Sequence, residues 1–223
     1  SLYPHLIMQY NISPETYVGQ LPDIVGEAGV MKILNGHLDN SAIKNYMFEQ
    51  NVTISGSGCM FGRERHGFLP KLMEKMYNDR VVYKQKMIEA KKAQEANPSE
   101  ENIKLIARHH NMQLAKKIQL NSAYGALSNE WFRWFDDKLA ESITLSGQLS
   151  IKWMERDMNR YLNKLFKTKD YDYVIACDTD SMYITLDALV DHLGIKERPT
   201  LEIVEFLDKA CENKFEPFIA DCY

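Results

Sequence analysis

A chain of 223 residues, 45% of them hydrophobic, can bury one large core or two small ones. It has no run of about 18 apolar residues, so no helix of it is expected to span a membrane. The net charge of −4 speaks against a nucleic-acid partner until it is divided: residues 63–117 hold 13 Lys and Arg against 7 Asp and Glu, a local +6, and the remainder carries −10.

A basic arm on an acidic body suits a protein that grips phosphates with one part and metal ions with another, although a solvated helical surface carries the same charges. Cys59, Cys177, Cys211 and Cys222 lie far apart without C-x-x-C spacing, which argues against zinc and for a reducing cytoplasm. The opening Ser1-Leu2-Tyr3-Pro4 is neither an initiator Met nor a signal peptide, so the chain is expected to be cut at both ends.

After the apolar run Leu6-Ile7-Met8, Pro14 in Asn11-Ile12-Ser13-Pro14-Glu15-Thr16 marks a turn or a helix start. Between Gly26 and Gly62 the signals are mixed. Asn35-Gly36 and Gly56-Ser57-Gly58 read as turns, residues 51–55 as a short strand, and the rest as irregular connection. Pro70 suits the first position of a helix, and residues 71–96, free of Gly and Pro, predict a long one. Asn97-Pro98-Ser99-Glu100-Glu101 ends it and caps a successor that runs towards Asn121, making an antiparallel α-hairpin.

Arg80 and Lys84 share a face of the first helix, and Lys117 and Asn121 share one of the second, with Tyr124 a turn further on. Three cations at the hairpin base would clamp a polyphosphate; scattered surface cations would show the same spacing. His109-His110 are neighbours on a helix, about 100° apart, and read as exposed rather than metal-binding. Residues 136–166 predict another long helix, with an apolar stripe through Ile143, Leu149, Ile151, Trp153, Met154, Met158, Tyr161, Leu162 and Leu165.

In residues 174–186 two apolar, β-prone runs flank Asp178-Thr179-Asp180, the pattern of a β-hairpin. Two carboxylates at such a tip repel, and a cation between them relieves the repulsion. Hard oxygen donors favour Mg²⁺ or Mn²⁺ over zinc. Asp also favours turns for local reasons, so the tripeptide alone leaves a solvated turn open. Residues 200–215 predict an amphipathic helix with Ile203, Phe206, Leu207 and Ala210 inward.

Lys117 with Asn121-Ser122-Ala123-Tyr124-Gly125 follows K-x-x-x-N-S-x-Y-G, and here the sequence resembles the fingers helix of family B DNA polymerases. Ser1-Leu2-Tyr3-Pro4 resembles the end of that family's first motif, D-x-x-S-L-Y-P. Ala176-Cys177-Asp178-Thr179-Asp180-Ser181 resembles its third, Y-G-D-T-D-S, with Ala-Cys in place of Tyr-Gly. Residues 11–16 and Trp131-Phe132-Arg133 are similar to the replicative polymerases of tailed myovirus-like bacteriophages.

The resemblance implies an α+β fold: a polymerase palm, with a β-hairpin or antiparallel sheet and packed helices, carrying an inserted antiparallel helical fingers hairpin. Residues 1–62 would be the first part of the palm, with an irregular connection, 63–129 the fingers, and 130–223 the rest of the palm. It implies DNA-directed DNA synthesis in replication: nucleotidyl transfer from dNTP to a primer 3′-hydroxyl with two Mg²⁺ ions, or Mn²⁺. Asp178 and Asp180 would bind the metals, with Asp180 bridging, helped by the Leu2 main-chain carbonyl. Arg80, Lys84 and Lys117 would hold the triphosphate, and Lys117 would also protonate the leaving pyrophosphate. Tyr3 would pack beneath the deoxyribose, and Asn121, Tyr124 and Gly125 would line the nascent base pair. Partners implied are primer-template DNA, dNTPs and, through other regions, a sliding clamp and replisome proteins, with no membrane, in the cytoplasm (the host's for a viral protein).

The first-motif Asp would stand three residues before Ser1, and the exonuclease domain and thumb would lie outside, so this stretch alone is expected to be inactive. Two alternatives stand beside this reading. One is another palm enzyme, a reverse transcriptase or RNA polymerase; the other is a non-catalytic DNA-binding or subunit-interaction module of a split or decayed polymerase.

Overall fold

The computed structural model describes residues 2–222, so Ser1 of the first motif lies outside the described residues. The fold is mixed and helix-rich, with small antiparallel sheets, and divides into two compact units, residues 1–147 and 148–223.

In the first unit, α1 (Leu2–Tyr10) leads through a 3₁₀ turn (Pro14–Thr16) into β1 (Tyr17–Gln20). β2 (Val52–Ile54) is the short strand expected at residues 51–55, but where irregular connection is expected from the sequence the structure also has α2 (Gly26–Leu34), α3 (Asn40–Glu49) and β3 (Cys59–Gly62). The difference has a physical cause. α3 buries no side chain and therefore shows no apolar stripe; it rests on its cap, where Asp39 Oδ1 accepts from Ser41 N at 2.8 Å. β1 finds its partner β3 some forty residues on, in the sheet order β1-β3-β2, and such non-local pairing leaves little local pattern. Gly56, in the β2–β3 turn, is required by close approach: a Cβ there would stand 2.5 Å from the Leu145 carbonyl oxygen.

The hairpin is formed by α4 (Phe68–Ala96) and α5 (Glu100–Leu127). α4 begins two residues before Pro70, so the proline is third in the helix rather than first. All four orphan N–H positions at this end are accounted for. Gly67 N donates to Asn11 Oδ1 (2.8 Å), Phe68 N to Glu15 Oε1 (2.6 Å) and Leu69 N to Ser13 Oγ (3.4 Å), and Pro70 has no N–H to satisfy. Residues 11–15 are thus a cap assembled in three dimensions. Asn11 adopts φ 58° to serve it, and its Nδ2 also donates to the carbonyls of Gly62 and Arg65.

Only the base of the hairpin enters the core, through Leu69, Met73, Leu120 and Leu127 packed with Leu6, Ile7, Ile12, Phe61, Leu139 and Ile143. At the far end Ser99 Oγ accepts from Asn102 N at 3.1 Å, as the expected N-cap. α5 continues past Asn121 to Leu127 because Leu120 and Leu127, both buried, hold its last turns against that core.

α6 (Asp137–Phe166) is the expected long helix. Met158 and Leu162 join the core of the second unit with Tyr173, Val174 and Phe215, whereas Leu165 is exposed. β4 (Val174–Asp178) and β5 (Ser181–Ile184) form the expected hairpin, followed by α7 (Asp187–His192) and α8 (Thr200–Ala210). The expected last helix is interrupted by a π-helical turn, Cys211–Phe215, before α9 (Glu216–Cys222). Phe206 is exposed instead of inward, while Ile203, Leu207 and Ala210 are half-buried.

Candidate active site

In the first unit the candidate residues come from three helices. α1 packs on both α4 and α5, which brings Tyr3 against Tyr124 with ring centroids 4.9 Å apart and planes at 53°. That tilted arrangement is favourable for two aromatic quadrupoles and joins segments 121 positions apart. Leu2 and Tyr3 both pack against the hairpin-base core, as do Ala123 and Tyr124.

Across the hairpin Lys116 Nζ meets Asp79 Oδ2 at 3.0 Å. Arg80 and Lys117 are the sequence neighbours of that bridged pair, so they stand at the same level of the two helices. Lys84 is one turn further along α4. Lys84, Lys117 and Asn121 are exposed. Arg80 is half-buried, and its Nε is buried with no hydrogen-bond partner among the described residues. His109, expected to be exposed, is half-buried and stacks on Tyr83 across the hairpin, with centroids 6.3 Å apart; His110 is exposed.

Gly125 lies inside α5, where glycine costs about 1 kcal/mol relative to alanine. Neither positive φ nor crowding explains it: a Cβ there would meet nothing within 4 Å among the described residues.

In the second unit the Asp178-Thr179-Asp180 segment forms a tight tip. Asp178 pairs with Ser181, leaving Thr179 and Asp180 as a two-residue loop. Thr179 sits at φ 53°, a costly conformation for a β-branched residue. Its hydroxyl donates to Asp178 Oδ1 at 3.0 Å, and Ser181 Oγ donates to the Asp178 carbonyl at 3.1 Å. Both aspartates are exposed. They supply hard oxygens suited to Mg²⁺ or Mn²⁺. Among the described residues there is no group of three or more His, Cys, Asp or Glu side chains that could hold a metal. Partial burial pushes the Cys177 thiol up, and the carboxylates of Glu155 and Asp172 add to the shift.

The family model for DNA polymerase family B matches residues 1–198. The chain belongs to DNA polymerase family B. The DNA-directed DNA polymerase of Escherichia phage RB69 is 32% identical across 98% of this chain and 28% of its own length. That of Enterobacteria phage T4 is 30% identical across 100% of this chain and 28% of its own. The DNA polymerase beta of African swine fever virus (isolate Tick/Malawi/Lil 20-1/1983) is 27% identical over 96% of this chain and 17% of its own. The family B DNA polymerase structure from Pyrobaculum calidifontis aligns with a TM-score of 0.49 and 25% identity, covering 88% of this chain and 21% of that one. The chain therefore spans less than a third of the length of these relatives. No helix among the described residues is long and apolar enough to cross a membrane.

Two features of this family B chain escape sequence reading. Pairing of Tyr3 with Tyr124 needs α1 to reach the hairpin base, and nothing local announces that contact. The Asn11-Ser13-Glu15 cap had a faint signal, three polar acceptors at alternate positions, but the helix they serve begins more than fifty residues later.

Proposed function

We propose that this chain carries the nucleotide- and metal-binding portion of a DNA-directed DNA polymerase, with α4 and α5 as the fingers and the flanking segments, residues 1–62 and 130–223, as the palm. The observation that carries the reading is the contact of Tyr3 with Tyr124, which unites the first motif with the helix bearing Lys117, Asn121 and Gly125. Membership of DNA polymerase family B and the names of the phage relatives support the same reaction.

Arg80, Lys84 and Lys117 bind the triphosphate of a dNTP. Arg80 offers a planar fork, and its buried, unpaired Nε is a donor suited to an anionic ligand. Lys117 is a movable point charge that delivers a proton to the departing pyrophosphate. Tyr124 and Asn121 border the incoming base, and the open space at Gly125 admits the base pair edge. Tyr3, held by Tyr124, lies beneath the sugar and leaves no room for a 2′-hydroxyl. Asp178 and Asp180 are the carboxylates that would hold divalent ions, and their hard oxygens suit Mg²⁺ or Mn²⁺. Ions held by these carboxylates would supply charge stabilisation to the attacking 3′-oxygen and to the leaving group. Primer-template DNA is the second substrate, and the basic hairpin supports salt-sensitive contact with its phosphates.

Asp180→Ala in the polymerase that contains this chain should abolish nearly all nucleotide incorporation while DNA binding survives, and Asp180→Asn should fail as well because charge is needed. Incorporation at the native rate by the alanine variant would overturn the assignment of Asp180 to the metal site.

A further inference from the structure

We propose that Asn159 is a positioning residue for Asp178 and Asp180, fixing the height of β4 so that the carboxylates stand where the metals are held. The inference rests on the metal-site reading above. Asn159 lies on α6, and its side-chain oxygen accepts from the main-chain N–H of Tyr173 at 2.8 Å and of Val174 at 3.2 Å. Its amide donates to Asp172 Oδ1 at 2.8 Å. One turn on, Asn163 Oδ1 accepts from Tyr171 N at 3.0 Å, and its Nδ2 donates to the Tyr171 carbonyl at 2.7 Å. Two side chains at i, i+4 thus hold residues 171–174 much as a neighbouring strand would, along the entry to β4.

The side-chain clamp adds directional bonds at the entry to β4, where the other restraints are apolar packing and an irregular ladder. Tyr173 and Val174 are buried with Met158, Leu162 and Phe215, but apolar packing has no preferred direction. Pairing with β5 is irregular, with a register shift between Val174 and Ala176. A slip of one residue in a strand moves every side chain to the opposite face. Asp178 lies four residues beyond Val174, about 13 Å along the strand, so an error at the Asn159 clamp is carried to the tip. Tyr173 closes the arrangement: its carbonyl accepts from Thr185 N at 2.9 Å, and its hydroxyl hydrogen-bonds Thr168 Oγ1 at 2.9 Å.

The test uses the full-length polymerase and two readouts: the Mg²⁺ concentration for half-maximal single-turnover incorporation, and amide-hydrogen exchange of residues 171–178. Asn159→Asp keeps the acceptor for both N–H groups but sets a carboxylate against Asp172. It should raise the Mg²⁺ requirement by about tenfold, as loss of a group supporting a metal ligand does. Exchange at Tyr173 and Val174 should speed up, while dNTP affinity at saturating Mg²⁺ stays unchanged. Adding Asp172→Asn reverses the donor and acceptor of the pair and should restore both readouts. Asn159→Leu, which removes every bond, should match or exceed the single aspartate variant. Unchanged Mg²⁺ dependence in Asn159→Asp, or failure of the double variant to restore it, overturns the proposal. Asp180→Ala serves as the control. If it still extends primers, the metal-site reading itself falls; if it is dead while Asn159→Asp behaves as native, only the positioning role falls.

Discussion

If Tyr3 selects the sugar and Tyr124 holds its ring in place, the two residues must act as one unit. Their rings meet at 4.9 Å and 53°, and among the described residues the ring contact and the surrounding apolar packing fix the orientation of Tyr3. Such a contact stabilises by about 0.5–1.5 kcal/mol beyond area burial. Spent wholly on discrimination, that is about a 2- to 13-fold change in the ratio of deoxy- to ribonucleotide use, at 1.36 kcal/mol per factor of ten. Tyr3→Ala should therefore admit ribonucleotides strongly. Tyr124→Leu, which keeps bulk but removes the ring, should relax selectivity within that 2- to 13-fold range. The decisive measurement is the double variant. With Tyr3 gone, Tyr124→Leu should change the dNTP/rNTP selectivity ratio no further, in single-turnover kinetics with a matched dNTP and rNTP pair. Independent, additive effects of the two substitutions on selectivity would refute the idea that Tyr124 acts through Tyr3, because residues without coupling add.

Removing either cation of the proposed clamp should cost about 1.5–3 kcal/mol in nucleotide use, with Arg80→Ala acting more on dNTP affinity and Lys117→Ala more on the rate of the chemical step. Unaltered pre-steady-state constants in both variants would return Arg80 and Lys117 to the solvated surface of the hairpin. The α4 cap has a pH signature. Burial pushes the Glu15 carboxyl up, but the Ser13 hydroxyl, the Phe68 N–H and the Arg65 guanidinium outweigh it and hold it below its ordinary value of 4.5. The stability this contributes is complete above pH 4.5 and is lost as pH falls through the lower folded-state value. Glu15→Ala should destabilise by about 0.5–2 kcal/mol at neutral pH, and the difference from native should shrink in acid. A difference in urea midpoint that stays constant from neutral pH down to about pH 3 would exclude the carboxylate as the cap.

The long helices, their turn at Asn97-Pro98-Ser99, and the β-hairpin around Asp178-Thr179-Asp180 were legible in the sequence, because each rests on local rules. Helix formers without Gly or Pro, a Ser cap with acids behind it, and β-prone runs around a polar tip act within a few residues. The family was legible too, since its motifs are short, linear and correctly ordered. What the sequence could not disclose lies at long range. The three-stranded sheet, the buried seat of Gly56 against the Leu145 carbonyl, the cap offered to α4 by residues 11–15, and the Asn159–Asn163 clamp on β4 each join residues remote in sequence or read main-chain atoms. The inward face assigned to the last helix failed at Phe206 for a related reason: periodicity names a face, but only neighbouring chain decides how much of it is covered. Sequence by itself determined which side chains are available for phosphate and metal chemistry. Tertiary structure decided that Tyr3 meets Tyr124 and that Arg80 and Lys117 share one level of the hairpin, because those relations depend on packing between helices that also brings Asp79 to Lys116.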